Sequence, residues 1–186
     1  MYVGTPPWDI GRPQRAFVAL ADAGALQGKL LDAGCGTGEH TLLAAERGLD
    51  ATGIDLAAAA ITAAEGKAQD RGLAARFLVW DALDLPGLGR VFDTVLDCGL
   101  FHVFDDTDRA RFLVSLAGAV KPAGRYFMLC FSDSQPGDWG PRRITEAELR
   151  DSFADGWRID SLEPATIEIT LDPAGAQGWL AAMTRT

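Results

Sequence analysis

The sequence predicts an α/β fold in which a mostly parallel sheet is covered by helices on both faces. Three observations carry that expectation. Short runs that are apolar on both faces recur at 29–33, 50–54, 75–80, 92–96 and 125–129, as strands buried in a parallel sheet require. Segments with helical spacing separate them, so strands and helices alternate. A glycine-rich turn, Gly34-Cys35-Gly36-Thr37-Gly38, follows the first run, where a strand has to hand over to a helix within a few residues.

Taken in order, residues 1–13 contain Pro6, Pro7 and Pro13 with two glycines, which excludes a helix and predicts an N-terminal arm. Trp8 in that arm serves either as an anchor folded onto the body or as a lid over a ligand; the polar Asp9, Arg12 and Gln14 around it favour the lid. Ala16, Phe17, Leu20 and Ala21 place a helix over 14–26. Strand one, 29–33, enters the glycine turn, and a helix over 37–47 follows with Gly48 as its cap. Strand two, 50–54, ends at Asp55. The alanine-rich segment 56–65 is a strong helix former whose small side chains let it lie close to the sheet.

Strand three, 75–80, closes at Asp81, and strand four, 92–96, ends at Asp97-Cys98-Gly99 before a helix over 107–120. Lys121-Pro122-Ala123-Gly124 reads as a stop and turn ahead of strand five, 125–129. After a polar loop over 132–143, Thr145 and Glu148 have the spacing of a capping box. The remainder, 157–170 and 178–185, reads as two strands joined at Asp172-Pro173-Ala174-Gly175, a hairpin at the sheet edge.

Composition narrows the function classes. A chain of 186 residues, 48% hydrophobic and 23% charged, is long enough for one well-buried core, and a single domain over 1–186 is expected. Seventeen basic against 26 acidic residues give a net charge of -9, which opposes nucleic acid and anionic membrane as partners. The N-terminus lacks a basic and an apolar targeting region, and no stretch approaches the ~20 apolar residues of a membrane span, so a cytoplasmic protein is expected. Cys35, Cys98 and Cys130 are an odd number without a CxxC pair, which suggests neither disulfides nor a metal site.

The glycine turn has the chemistry of a cofactor floor. Glycines at positive φ expose backbone N–H groups, and the helix start behind them adds partial positive charge. A dinucleotide fingerprint would continue as G-x-G-x-x-G, but Glu39 stands where its third glycine would fall, and a carboxylate there faces a pyrophosphate badly. S-adenosylmethionine carries no phosphate and suits the turn better. Asp55 ends strand two at the spacing from the glycines at which a carboxylate accepts from both ribose hydroxyls. Asp81 can accept from the adenine amino group, and Asp32 can orient the methionine ammonium from behind. Singly each is an ordinary loop or capping aspartate; three at successive strand ends point to one nucleoside.

Leu31-Asp32-Ala33-Gly34-Cys35-Gly36-Thr37-Gly38, Gly53-Ile54-Asp55, Trp80-Asp81-Ala82, Phe92-Asp93-Thr94-Val95-Leu96-Asp97 and Lys121-Pro122-Ala123-Gly124 together resemble the ordered motifs of class I S-adenosylmethionine-dependent methyltransferases. The resemblance spans about residues 28–131 and departs at Ala123, where a glycine is common. It implies a Rossmann-like seven-stranded sheet of order 3-2-1-4-5-7-6 with strand seven antiparallel. It also implies cofactor contacts at Trp8, Asp32, Gly34, Cys35, Gly36, Asp55, Leu56, Asp81, Ala82, Asp97 and Cys98, with S-adenosylhomocysteine as product. Pro7-Trp8-Asp9-Ile10-Gly11-Arg12-Pro13-Gln14 with Cys98-Gly99-Leu100-Phe101-His102 is similar to small bacterial enzymes related to thiopurine and thiol methyltransferases, among them mycobacterial proteins that methylate heterocyclic toxins such as hydroxyquinolones. That likeness implies detoxifying methylation of a small acceptor.

In such a reaction an O, N or S atom of the acceptor takes the methyl group in line from the sulfonium. Orientation and exclusion of water then supply most of the rate, good orientation being worth ~7–11 kcal/mol. A base is needed only where the acceptor is not already deprotonated. His102, just past strand four, is the candidate base or acceptor contact, with a structural histidine in a turn as the alternative; His40 reads as structural. Phe101, His102, Phe131 and Trp139, closed over by Trp8, are the expected acceptor pocket. The cysteines read as small buried side chains that leave room for the cofactor. Competing readings each lack their mark: an NAD(P) oxidoreductase misses its third glycine, and a nucleic-acid amino-methyltransferase misses its D/N-P-P-Y/F tetrad, where Asp97-Cys98-Gly99-Leu100 stands instead. A non-catalytic module that binds S-adenosylmethionine remains the alternative.

Overall fold

The computed structural model describes residues 6–186, so the first five residues of the expected arm lie outside the described residues. The strands are β1 (Lys29–Ala33), β2 (Asp50–Asp55), β3 (Arg76–Val79), β4 (Phe92–Cys98), β5 (Val120–Phe131), β6 (Trp157–Ile167) and β7 (Ala176–Arg185). They form one seven-stranded sheet of order β3-β2-β1-β4-β5-β7-β6. The pairs β1–β2, β1–β4, β2–β3 and β4–β5 are parallel, while β7 runs antiparallel to both β5 and β6. Order and polarity are those implied by the family resemblance.

The helices are α1 (Arg15–Asp22), α2 (Glu39–Glu46), α3 (Ala58–Arg71), α4 (Asp106–Ala119) and α5 (Glu146–Ser152). Alternation along the strands sends successive side chains to opposite faces. Leu30, Leu96, Phe127 and Leu129 pack on one face with Phe17 of α1 and Leu43 of α2. Leu31, Val95, Tyr126 and Met128 pack on the other with Phe112 and Leu116 of α4 and Leu149 of α5. Both faces are therefore covered, which is why the central strands read as unbroken apolar runs. No helix among the described residues is long and apolar enough to cross a membrane.

Glycine sets how tightly α2 and α3 lie on the sheet. A Cβ on Gly53 would come within 2.6 Å of Thr41 Oγ1 and 2.9 Å of Cys35 Sγ, and one on Gly38, at φ +88°, within 2.8 Å of Ala64 Cβ and of the Phe77 ring. No side chain fits at either position, so the closeness that a third glycine gives a dinucleotide fold comes from Gly38 and Gly53 here.

Element boundaries differ from the sequence expectation in instructive ways. Helix α1 stops at Asp22 and α2 begins at Glu39, because left-handed Gly38 is its N-cap. Helix α3 starts two residues later than expected and runs on to Arg71, where Gly72 at φ 64° ends it. Strand β5 begins at Val120: Val120 pairs with Phe92 and Arg125 with Thr94, so Lys121–Gly124 is a bulge inside the strand rather than a turn ahead of it. Strand β6 ends at Ile167, three residues early, and β7 starts at Ala176. The capping box at Thr145 is present, with Thr145 Oγ1 accepting the Glu148 N–H at 3.1 Å and Glu148 Oε2 accepting the Thr145 N–H at 2.9 Å.

Candidate active site

A cleft of about 680 Å³ opens at the carboxyl ends of β1, β2 and β4, under the N-terminal arm. Sheet order reverses between β1 and β4, the place where open α/β sheets bind ligands, and the volume is that of a small-molecule site. Its floor is the glycine turn, with Gly34 at φ 71° and Gly36 at φ 52°. A Cβ at Gly34 would meet the Leu100 side chain at 3.2 Å, whereas nothing lies within 4 Å of one at Gly36, whose backbone faces open space. Asp55 at the end of β2 is fixed by the Gly36 N–H on Oδ2 at 2.9 Å and the Ala57 N–H on Oδ1 at 2.8 Å. Each oxygen keeps a further lone pair for hydroxyl donors.

Two aspartates lie beneath this floor rather than in its surface. Asp32 Oδ2 accepts both the Thr41 N–H (3.0 Å) and the Thr41 hydroxyl (2.7 Å), while buried Oδ1 has no partner. Burial pushes its pKa up to about 7, against the pull of those two hydrogen bonds. Asp97 accepts from the Leu100 N–H (2.7 Å), the Phe101 N–H (3.0 Å) and the Tyr126 hydroxyl (2.7 Å), and burial still raises it to about 6.

The arm roofs the cleft and is strapped to the loop after β6. Arg12 forks onto the Glu168 carboxylate at 2.8 and 3.0 Å, and Gln14 exchanges two hydrogen bonds with the Glu168 backbone, at 2.8 and 2.9 Å. The Pro7 carbonyl accepts the Thr170 N–H at 2.9 Å. Arg12 and the Arg15 N–H together hold the Glu168 carboxyl down at about 2. At the glycine turn, Asp9 Oδ2 accepts the Thr37 hydroxyl at 3.1 Å. His40 Nε2 accepts the Gln14 N–H at 3.1 Å, and burial lowers this imidazole to about 4, so His40 joins α2 to the arm.

On the far side, Phe131 and Trp139 stand edge to face at 5.6 Å, and His102 meets Phe131 the same way at 5.2 Å. His102 Nδ1 accepts the Phe131 N–H at 2.9 Å. Burial, with the Arg143 charge behind it, lowers the imidazole to about 4. Burial likewise raises the thiols of Cys35, Cys98 and Cys130 above their ordinary value, leaving them neutral. Among the described residues no group of three or more His, Cys, Asp or Glu side chains gathers in a metal-holding arrangement.

Of the residues singled out from sequence, Trp8, Gly34, Cys35, Gly36, Asp55, Cys98, His102, Phe131 and Trp139 line this cleft. Others do not. Phe101 is fully buried in the core, 5.8 Å from Phe153 and under the Arg109 guanidinium at 5.1 Å, because the 3-10 turn Phe101–Val103 turns it away from the side that His102 faces. Ala82 is also core. Leu56 is 70% exposed, and Asp81 turns back to accept the Leu83 N–H at 2.9 Å, so both stand outside the cleft walls at the β2 and β3 ends. Glu39 does not present a bare carboxylate: Lys67 (2.8 Å) and Arg71 (3.0 Å, bidentate) neutralise it. The sequence reading missed Ile167, Ile169 and Leu171, which alternate off the end of β6 to face the cleft, and the strap at Glu168. The i, i+2, i+4 apolar spacing of the first three was the available signal.

A family profile described as a methyltransferase domain matches residues 30–124, the half of the chain that builds the floor. The chain belongs to the S-adenosylmethionine-dependent methyltransferases. This methyltransferase is 37% identical over 165 residues to the 2-heptyl-1-hydroxyquinolin-4(1H)-one methyltransferase of Mycobacteroides abscessus, a match covering 87% of this chain and 73% of the relative. A solved structure concerned with conversion of a disulfide bond into a thioacetal group during echinomycin biosynthesis superposes with a TM-score of 0.87 at 40% identity, covering 97% of this chain and 85% of the other. The magnesium protoporphyrin IX methyltransferase of Synechocystis PCC 6803, solved with bound S-adenosylmethionine, shares the fold at a TM-score of 0.73 and 21% identity, over 92% of this chain and 77% of that one.

The cleft fits the cofactor on its own terms. Its floor offers open backbone at Gly36, a fixed acceptor at Asp55 and an unpartnered carboxylate oxygen on Asp32 behind the turn, and these are partners for hydroxyl and ammonium donors rather than for a pyrophosphate.

Proposed function

We propose that this methyltransferase transfers the methyl group to an O, N or S atom of a small aromatic or heterocyclic acceptor. The observation that carries the reading is the composition of the cleft beyond the cofactor floor. Trp8, Phe131 and Trp139 enclose it with aliphatic side chains, a surface suited to a flat, mostly apolar ring. S-adenosylmethionine supplies a methyl group on a sulfonium, whose positive charge is lost on transfer. Asp55 would hold the ribose, the Gly34–Gly36 backbone and Asp32 the amino-acid end, and Asp81 and Leu56 the adenine at the β3 side, with Trp8 as lid. The hydroxyquinolinone named for the Mycobacteroides abscessus relative makes hydroxyquinolones the first acceptors to test, and a detoxifying role goes with them.

Calorimetry with S-adenosylmethionine, S-adenosylhomocysteine and NAD, followed by a screen of thiols, phenols and hydroxyquinolones for release of S-adenosylhomocysteine, tests the proposal. Asp55→Ala is expected to weaken S-adenosylmethionine binding by at least tenfold with an unchanged melting temperature, since two hydrogen bonds to one carboxylate are lost. Unchanged affinity would remove the ribose assignment.

A further inference from the structure

The acceptor end of the cleft is walled by Val103, Phe131, Trp139, Ile167, Ile169 and Leu171, all of them apolar. One titratable side chain, His102, reaches this end, and both of its nitrogens are engaged. Nδ1 accepts the Phe131 N–H, so the imidazole proton sits on Nε2, which turns to the Gly99 backbone. A proton could be taken only by first breaking the bond from Phe131. Burial and the Arg143 charge press the same way, towards the neutral ring. From β4 the neighbouring groups are the Cys98 thiol, kept protonated, and Asp97, whose oxygens are taken by Tyr126, Leu100 and Phe101.

Arg143 differs from the other cations around the cleft. Arg12 is paired with Glu168, Lys67 with Glu39, and Arg142 next to it with Asp106 and Glu148. Arg143 instead donates to three carbonyls, those of Pro141 (2.6 Å), Gly137 (3.2 Å) and Gln135 (3.3 Å). Among the described residues it forms no ion pair with a carboxylate. Its guanidinium lies 5.2 Å from the centre of the Phe131 ring and 5.9 Å from that of Trp139. An uncompensated positive charge thus stands directly behind the two aromatic walls, in a low-dielectric setting where its field carries further than in water.

We propose that the acceptor end selects a molecule whose nucleophilic atom arrives already ionised, a thiolate or the oxyanion of an acidic hydroxyl, with Arg143 setting that preference through its charge and no protein group taking a proton. The inference rests on the methyl-transfer reading above. In the step it implies, the acceptor's lone pair forms the new bond to the methyl carbon as the carbon–sulfonium bond breaks, and the bonding pair stays on sulfur. A cation and an anion become two neutral products, and no proton leaves.

The test uses 4-nitrophenol, whose neutral and ionised forms absorb at different wavelengths, bound to the full chain saturated with S-adenosylhomocysteine. Ionisation of the bound dye is then read without turnover and without a sulfonium charge in the site. Its midpoint is expected at least one pH unit below that of the free dye, a tenfold preference for the anion. Arg143→Lys should keep most of the shift, Arg143→Gln should lose at least half of it, and His102→Gln should leave it in place. The proposal is overturned by a midpoint at or above that of the free dye, by no binding of either form at millimolar dye, or by a shift that survives Arg143→Gln but vanishes in His102→Gln. Calorimetry of S-adenosylhomocysteine on the same samples separates the two levels: failure to bind it removes the methyl-transfer reading, whereas binding with an unshifted dye removes only this inference.

Discussion

Ala123 holds φ at 62°, the only non-glycine among the described residues in the left-handed region. That conformation crowds Cβ against the backbone at a cost of ~1–2 kcal/mol, part of which glycine would return as extra freedom of the unfolded chain. Ala123→Gly is therefore expected to stabilise the protein by about 0.5–1 kcal/mol and raise the melting temperature by roughly 2–4 °C. A melting temperature that stays put or falls would mean the bulge relaxes around alanine. This position was legible in the sequence as a departure from a family glycine, because backbone conformation leaves its mark on residue type. Phe101 was not legible. It adjoins His102, but successive residues of a 3-10 turn point about a third of a turn apart, so one enters the core and the next the cleft.

At the level of elements, the arm is held by a single side chain above all others. Glu168 accepts from Arg12, Arg15 and, through its backbone, Gln14. Arg12 is half exposed, so the pair itself contributes about 1 kcal/mol at most. Its effect belongs to the closed arm: Glu168→Gln should raise the dissociation constant of S-adenosylmethionine several-fold while shifting the melting temperature by less than about 3 °C. Equal affinity for the cofactor would show that the arm closes without the strap. The carboxyl sits at about 2, against ~4.3 when unfolded, so its contribution is complete above about pH 4.3 and fades as pH falls towards 2. The arm could be expected from its prolines and Trp8. The strap could not, because Arg12 and Glu168 lie 156 residues apart and neither stands in a recognisable pattern.

The whole molecule was legible where physics is periodic or conformationally strict. Apolar runs at 29–33 and 92–96, the glycine turn and the strand-end aspartates gave the sheet and the floor. What escaped was long-range and electrostatic: the burial of Asp32 and Asp97 under the floor, the neutralised Glu39 and the unpaired Arg143. The buried aspartates have a global consequence. Held at about 7 and about 6 in the folded protein, against ~3.9 unfolded, they keep protons that the unfolded chain has already lost between about pH 4 and 7. Stability therefore falls as pH rises through that window, by on the order of 1–3 kcal/mol. The melting temperature of the ligand-free protein should be several degrees higher at pH 5.5 than at pH 8, and Asp32→Asn should flatten that slope; a profile rising toward pH 8 would contradict it.

The strap at Glu168 also bears on how the protein is made. On a ribosome, the floor of the cleft emerges with the first half of the chain, but the loop that fastens the roof appears only near the end, more than 150 residues after Arg12. A nascent chain can assemble the glycine turn and Asp55 early and yet stay open to solvent until its last hairpin is delivered. Closure over a ligand thus becomes a property of the finished polypeptide.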